Sequence, residues 1–196
     1  DQERRGLGAR LVRHVLAATS PEAVALWASV AGEPLYRALG FVEAGRIHVH
    51  GGRVGAAAIR ASAPGAGRVA VHAGDAGGPI TAAITDDLAA RSLGAGAGER
   101  RWVLDAFAPR PGTLLAAHPD GLGAGMAWDC NGQRHVGPVV ADTDQAAIDL
   151  VAALAVGAPG IVRVDAAAEQ HALRAWCRDN GLDERRNSPR FVPGPD

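Results

Sequence analysis

The sequence predicts an α/β (α+β) fold, and three observations carry that prediction. Short apolar runs suited to buried strands alternate with segments whose apolar residues recur at helical spacing. Of the 196 residues, 47% are hydrophobic and 21% charged, enough apolar material to bury a sizeable core. Gly and Pro make up about a fifth of the chain and fall mostly between those segments, as turns rather than as a disordered tract.

The elements follow in chain order. In Asp1 to Leu16, the residues Leu7, Leu11, Val12, Val15 and Leu16 share one helical face, with Arg10, Arg13 and His14 elsewhere. The Gly6-Leu7-Gly8 turn opens that helix and Thr19-Ser20-Pro21 breaks it. Ala23 to Ser29 reads as a buried strand. A second helix restarts at Gly32-Glu33-Pro34, with Pro34 near its first position and Gly40 as its stop. Leu35, Leu39 and Tyr36 share a face of it. Phe41-Val42 and Arg46 to His50 read as a strand or hairpin closed by Gly51-Gly52, and Ala61 to Gly67 as a linker. Two domains are therefore expected, 1–60 and 68–196, joined through 61–67.

In the second stretch, strands are expected at Val69–His72, Thr113–Ala117, Gly125–Cys130, His135–Ala141, Ile161–Val164 and Arg190–Val192. Helices are expected at Ile80–Leu93, Glu99–Phe107 and Glu169–Asp179, the last ended by Gly181. Asp142-Thr143-Asp144 supplies a cap for a further helix carrying Ala147, Leu150, Val151 and Leu154.

Composition narrows the function. The formal net charge of −1 gives no overall positive field to gather nucleic acid or an anionic membrane. All 20 basic residues are arginine, which we read as coding bias. Cys130 and Cys177 match no zinc spacing and are expected as free thiols in a reducing, cytoplasmic setting. No apolar run approaches the ~18–20 residues of a membrane span. His48 and His50 would share a strand face, but no third ligand lies nearby, so no metal is expected. Asp86-Asp87 reads as helix surface, and Trp102, Trp128 and Trp176 as core. No Gly-x-Ser-x-Gly elbow occurs.

Two motifs in residues 1–60 resemble those of the GNAT N-acetyltransferases. One is the loop Glu3-Arg4-Arg5-Gly6-Leu7-Gly8-Ala9, similar to the Q/R-x-x-G-x-G/A loop that opens that family's acetyl-CoA-binding helix. The other is Leu35-Tyr36-Arg37-Ala38-Leu39-Gly40-Phe41, which looks like the tyrosine segment after the next strand. Glu3 departs from the usual Gln or Arg, and Ser29 stands where many members carry Asn. The strands that precede the loop in the family are missing, so the chain is expected to be the C-terminal half of one GNAT domain followed by a second, GNAT-like domain with a mixed, mainly antiparallel sheet. An incomplete sheet leaves an edge that invites homodimer pairing. The second domain resembles the C-terminal part of tandem acetyltransferases through Arg100-Arg101-Trp102-Val103-Leu104 and His135-Val136-Gly137-Pro138-Val139-Val140-Ala141. It lacks the phosphate loop, since Asp142 and Asp144 at a helix start oppose a pyrophosphate, and the tyrosine, since Ala175-Trp176-Cys177 occupies the corresponding place.

The resemblance implies direct transfer of acetyl from acetyl-CoA to a primary amine of a small molecule or peptide in a ternary complex. Amides of Arg5, Gly6, Leu7, Gly8, Ala9 and Arg10 would hold the pyrophosphate, with Arg4, Arg5 or Arg10 adding charge and Ser29 a hydrogen bond. Tyr36 would be the general acid for the departing thiolate. A phenol, with an ordinary pKa of about 10, suits that role because the donor stays protonated at neutral pH. The alternative is a catalytically incompetent GNAT-like binding or regulatory module.

Overall fold

The computed structural model describes residues 6–19, 24–74, 78–92 and 97–194. These contain α1 (Leu7–Ala18), β1 (Leu26–Trp27), α2 (Glu33–Ala38), β2 (Phe41–Gly52), α3 (Ala56–Ser62), a 3₁₀ turn (Pro64–Arg68) and β3 (Ala70–Ala73). There follow α4 (Pro79–Ser92), α5 (Ala97–Phe107), β4 (Thr113–Ala117), β5 (Gly123–Cys130), β6 (Gln133–Ala141), α6 (Asp144–Ala155), β7 (Ile161–Ala167), α7 (His171–Asp179) and β8 (Asp183–Pro193). The sheet has eight strands in the order β1-β8-β2-β7-β6-β5-β4-β3. The mixed, mainly antiparallel α/β class is thus as the sequence predicts. Two compact units divide the chain: Asp1–His48 with Ala167–Glu169 and Arg186–Asp196, and Val49–Ala166 with Gln170–Arg185.

In the first unit, β1 pairs antiparallel with β8, with Leu26 opposite Phe191 and Trp27 opposite Arg190. The strand expected over Ala23–Ser29 pairs at only these two residues. Ala28, Phe41 and Phe191 form a small core against which Val12 and Leu16 of α1, Tyr36 of α2 and Leu39 just after it pack. The other half of the predicted α1 face stays outside it: Leu7, Leu11 and Val15 are exposed.

The second unit holds the larger core. Antiparallel pairs join β3 to β4, β4 to β5 and β5 to β6, whereas β6 and β7 run parallel. A parallel neighbour requires a crossover, and α6 supplies it between those strands. Thr143 caps α6 as expected, its Oγ accepting from the Ala146 N–H at 3.1 Å. Most of α6 is buried, including Leu150, Val151 and Leu154, because it lies over β4, β5 and β6 and near the 3₁₀ turn.

Arg134 locks this crossover. Its side chain is buried, and Nε and Nη2 donate to Asp129 Oδ1 and Oδ2 at 2.8 and 2.9 Å. Nη1 donates to the carbonyls of Leu154 and Val156 at 3.2 and 2.9 Å. One guanidinium therefore pairs the β5–β6 hairpin and satisfies the C-terminal carbonyls of α6, which have no partner within the helix.

Two expectations need correction. The stretch Ala61–Gly67, expected as a linker, instead ends α3 and forms the 3₁₀ turn, with Ala63 and Ala66 buried. Its small residues permit close approach: a Cβ on Gly65 would overlap the Asp149 carboxylate. Trp176 behind it donates to Ser62 Oγ at 3.1 Å, and Ser62 donates to Asn180 Oδ1 at 2.7 Å. Trp102, expected in the core, is 69% exposed on α5.

Two outcomes test this packing. Arg134→Ala leaves the Asp129 carboxylate and two helix-end carbonyls without their donor. Urea denaturation should show a loss of about 2–3 kcal/mol, discounted because Asp129 is partly exposed. Cys177 is fully buried and burial pushes its thiol up to about 12, whereas Cys130 is exposed. A thiol reagent at neutral pH should label one cysteine per folded chain and both after unfolding.

Candidate functional site

The motif residues of the first unit gather around α2. Gly6 is the N-cap of α1 in the left-handed region (φ 66°), where glycine is favoured, and no side chain caps the helix. The first intrahelical bond there runs from the Arg10 N–H to the Gly6 carbonyl at 3.1 Å. The amides of Leu7, Gly8 and Ala9 accordingly have no helical acceptor, and no acidic residue stands in the first turn. A Cβ on Gly8 would lie 3.3 Å from Leu35 Cδ2 of α2. A Cβ on Gly32 would lie 3.2 Å from both Ser29 Oγ and Tyr36 Cε2. Glycine at these two positions lets the turn before α2 and the start of α1 close onto Leu35 and Tyr36.

Tyr36 is half-buried. Its ring meets Phe41 edge-on at 5.8 Å and Phe191 at 6.2 Å, which fixes its orientation. Ser29 is exposed, and its Oγ accepts from the Gly32 N–H at 3.1 Å, so the hydroxyl shapes the turn. Beside Tyr36, Arg37 bridges Glu33 and Glu43, and Arg46 joins Glu43 to Asn187. Arg46 first and then Arg37 hold the Glu43 carboxyl below the usual carboxylate range. The structure thus brings Gly8, Ser29, Gly32 and Tyr36 together. Arg4 and Arg5 lie outside the described residues, and Arg10 is exposed on α1.

The second unit contains a feature that the sequence analysis does not anticipate. β6 and β7 pair from Gln133↔Ile161 to Val136↔Val164 and no further. There Gly137 and Pro138 of β6 stand opposite the single residue Met126 of β5, a bulge that ends the parallel ladder. Gly137 takes φ 148°, and Pro138 has no N–H to give to a ladder. A cavity of about 440 Å³ opens at this point, lined in part by Trp128, His135, Val151, Arg163, Asp165 and Leu173. Burial, reinforced by the Arg163 charge and opposed by Asp165, lowers the pKa of His135. His50, expected beside a histidine partner, is fully buried and donates from Nδ1 to the Leu182 carbonyl at 3.1 Å. Burial also lowers its pKa. Asp86 pairs with Arg101 and Asp87 with Arg91, so both serve helix-surface ion pairs. Among the described residues no group of three or more His, Cys, Asp or Glu converges, and no helix is long and apolar enough to cross a membrane.

The architecture is a mixed, mainly antiparallel sheet with one parallel pair bridged by a helix, and the comparisons assign its family. A family model described as an acetyltransferase (GNAT) domain matches residues 95–196. The chain belongs to the GNAT acetyltransferase family. The matched residues comprise the second half and do not include Gly6 or Tyr36. No curated protein matches. Among solved structures, a GCN5-related N-acetyltransferase from Kribbella flavida aligns with a TM-score of 0.58 at 17% identity, covering 96% of this chain and 48% of that one. One from Sphaerobacter thermophilus aligns at 0.59 and 17%, covering 98% and 70%. Eis1 from Mycobacterium abscessus aligns at 0.55 and 17%, covering 96% and 52%. The likeness is one of fold, and the chain spans about half the length of the first and third.

The titration of His135 has a definite sign. A lowered folded-state pKa means that the unfolded chain binds the proton more readily. The stability from the neutral ring is present above the unfolded value of about 6.5 and declines as pH falls below it. His50 acts in the same direction and is common to both proteins compared. The thermal midpoint of the unaltered chain should therefore fall more steeply from pH 7.5 to 5.5 than that of His135→Gln; parallel slopes would refute the assignment.

Proposed function

We propose that the protein is an N-acetyltransferase that moves acetyl from acetyl-CoA to the primary amine of a small molecule or peptide. The supporting observation is the convergence of the uncapped, acid-free start of α1 with Tyr36 through Gly8 and Leu35. The residues fit a CoA diphosphate: Gly6 holds the turn open, and the amides of Leu7, Gly8 and Ala9 point beyond the helix end. Arg10, with Arg4 and Arg5, would add charge-assisted hydrogen bonds. Ser29, already held by Gly32, would contribute through its own O–H.

Acetyl-CoA, when bound, supplies a thioester open to direct attack by a neutral amine. Tyr36 holds a phenolic proton on a ring fixed by Phe41 and Phe191 and gives it to the sulfur as the carbon–sulfur bond breaks. The proton lost by the amine passes to solvent, from which Tyr36 is reprotonated. The second reading, a binding or regulatory module, draws support from α6, whose N-terminus is occupied by its own Thr143 cap and Asp144.

Calorimetry and kinetics on the full chain separate the two. Gly6→Val and Gly8→Leu should each weaken CoA binding at least tenfold. Tyr36→Phe should lower kcat by ~10²–10⁴ with KM for acetyl-CoA changed little. No CoA binding supports the module instead, and unchanged turnover of Tyr36→Phe at every pH removes Tyr36 from the mechanism.

A further inference from the structure

The cavity in the second unit is lined by none of the residues assigned to the proposed acetyl transfer, and its walls are chemically distinctive. Trp128 on β5 stands in register with His135 on β6, and His135 with Arg163 on β7. Residues in register project from the same face, so indole, imidazole and guanidinium form one row across three strands. The Trp128 and His135 rings stack at 5.5 Å with 9° between their planes. Two residues along β7, on the same face, Asp165 accepts from Arg163 Nε and Nη2 at 2.8 and 2.7 Å. The pair is about one-third exposed and so within reach of a ligand. Arg163 uses two of its five N–H groups there, and each Asp165 oxygen retains accepting capacity. Val151 of α6 and Leu173 of α7 line the cavity with apolar surface.

A phosphorylated ligand is poorly served here. The anion-binding feature next in the chain after β6 would be the N-terminus of α6. There Thr143 Oγ already accepts from the Ala146 N–H, and Asp144 places a carboxylate in the first turn. Asp142, just before it, is tied to Arg91 at 2.7 Å. Capped amides and two carboxylates disfavour a diphosphate. What remains is a cation and an anion side by side, a flat stacked wall, an apolar wall, and about 440 Å³ of space, which lies within the range of small-molecule sites.

We propose that this cavity binds a small zwitterion, an α-amino acid with an aromatic side chain. Its carboxylate meets Arg163, its ammonium meets Asp165, and its ring lies against Trp128 and His135. The site shares no residue with the Gly6–Tyr36 region, and the proposal does not rest on that reading.

Calorimetry on the full chain tests it, with L-phenylalanine, 2-phenylethylamine, 3-phenylpropionate and coenzyme A as probes. L-Phenylalanine should bind one per chain, and each analogue lacking one charge at least tenfold more weakly. Arg163→Gln and Asp165→Asn should each weaken L-phenylalanine at least tenfold, and Ala147→Trp, which fills the cavity, should abolish it. Circular dichroism and thermal midpoints confirm folding; the partly exposed Arg163→Gln change decides if the cavity-filling variant does not fold. CoA affinity should be the same in all three variants, and this arm separates the proposal from the acetyl-CoA site. No binding of L-phenylalanine at millimolar concentration, binding unaffected by Arg163→Gln, or CoA binding lost in these variants would each overturn it.

Discussion

The second unit depends on one buried guanidinium. Arg134 is the group through which the β5–β6 hairpin, the C-terminus of α6 and hence the α6 crossover are held to one another. A hairpin is a local structure, but a parallel pair is not. β6 and β7 become neighbours only if the intervening helix is fixed on the sheet. Burial of α6 supplies most of the stabilisation, since nine of its residues are inaccessible. Burial alone has little directionality. The four hydrogen bonds of Arg134 set where along the sheet the helix ends, and so where β7 begins its pairing with β6.

That placement determines the cavity. Because β6 bulges at Gly137–Pro138 just beyond the Val136–Val164 pair, the parallel ladder is short and the strands part. The same register aligns Trp128, His135 and Arg163. A shift of one residue in β6 would carry His135 to the opposite face and dissolve the row. The chemistry of the cavity is thus a consequence of strand register, which is itself a consequence of the anchored crossover.

The two helices whose starts bear on ligand binding solve the problem of unpaired amides in opposite ways. α1 begins at a left-handed glycine with no side-chain cap and no acid in its first turn, leaving its donors available. α6 begins at Thr143, whose hydroxyl takes one donor, and carries Asp144 to complement the dipole. The first arrangement supplies no side-chain cap of its own, whereas the second supplies one internally. This difference supports assigning anion binding to the first unit and a phosphate-free ligand to the second.

Much of this was legible in the sequence. Helical periodicity located α1 and α7, Thr143 announced α6, and short apolar runs located β4 to β6, because these signals are local. Gly6, Gly8 and Tyr36 were legible as candidates because the motifs that carry the resemblance are local patterns. Ala61–Gly67 misled because small residues mark both flexible linkers and tight packing, and only the Asp149 carboxylate facing Gly65 distinguishes them. Trp102 misled because an exposed indole on α5 reads the same as a buried one. The sequence by itself determined the class of fold, the order of elements and the chemistry of the helix starts. Tertiary structure alone decided that Trp128, His135 and Arg163 share a row and that a cavity opens beside them, because cross-strand register is set by contacts between residues far apart in the chain.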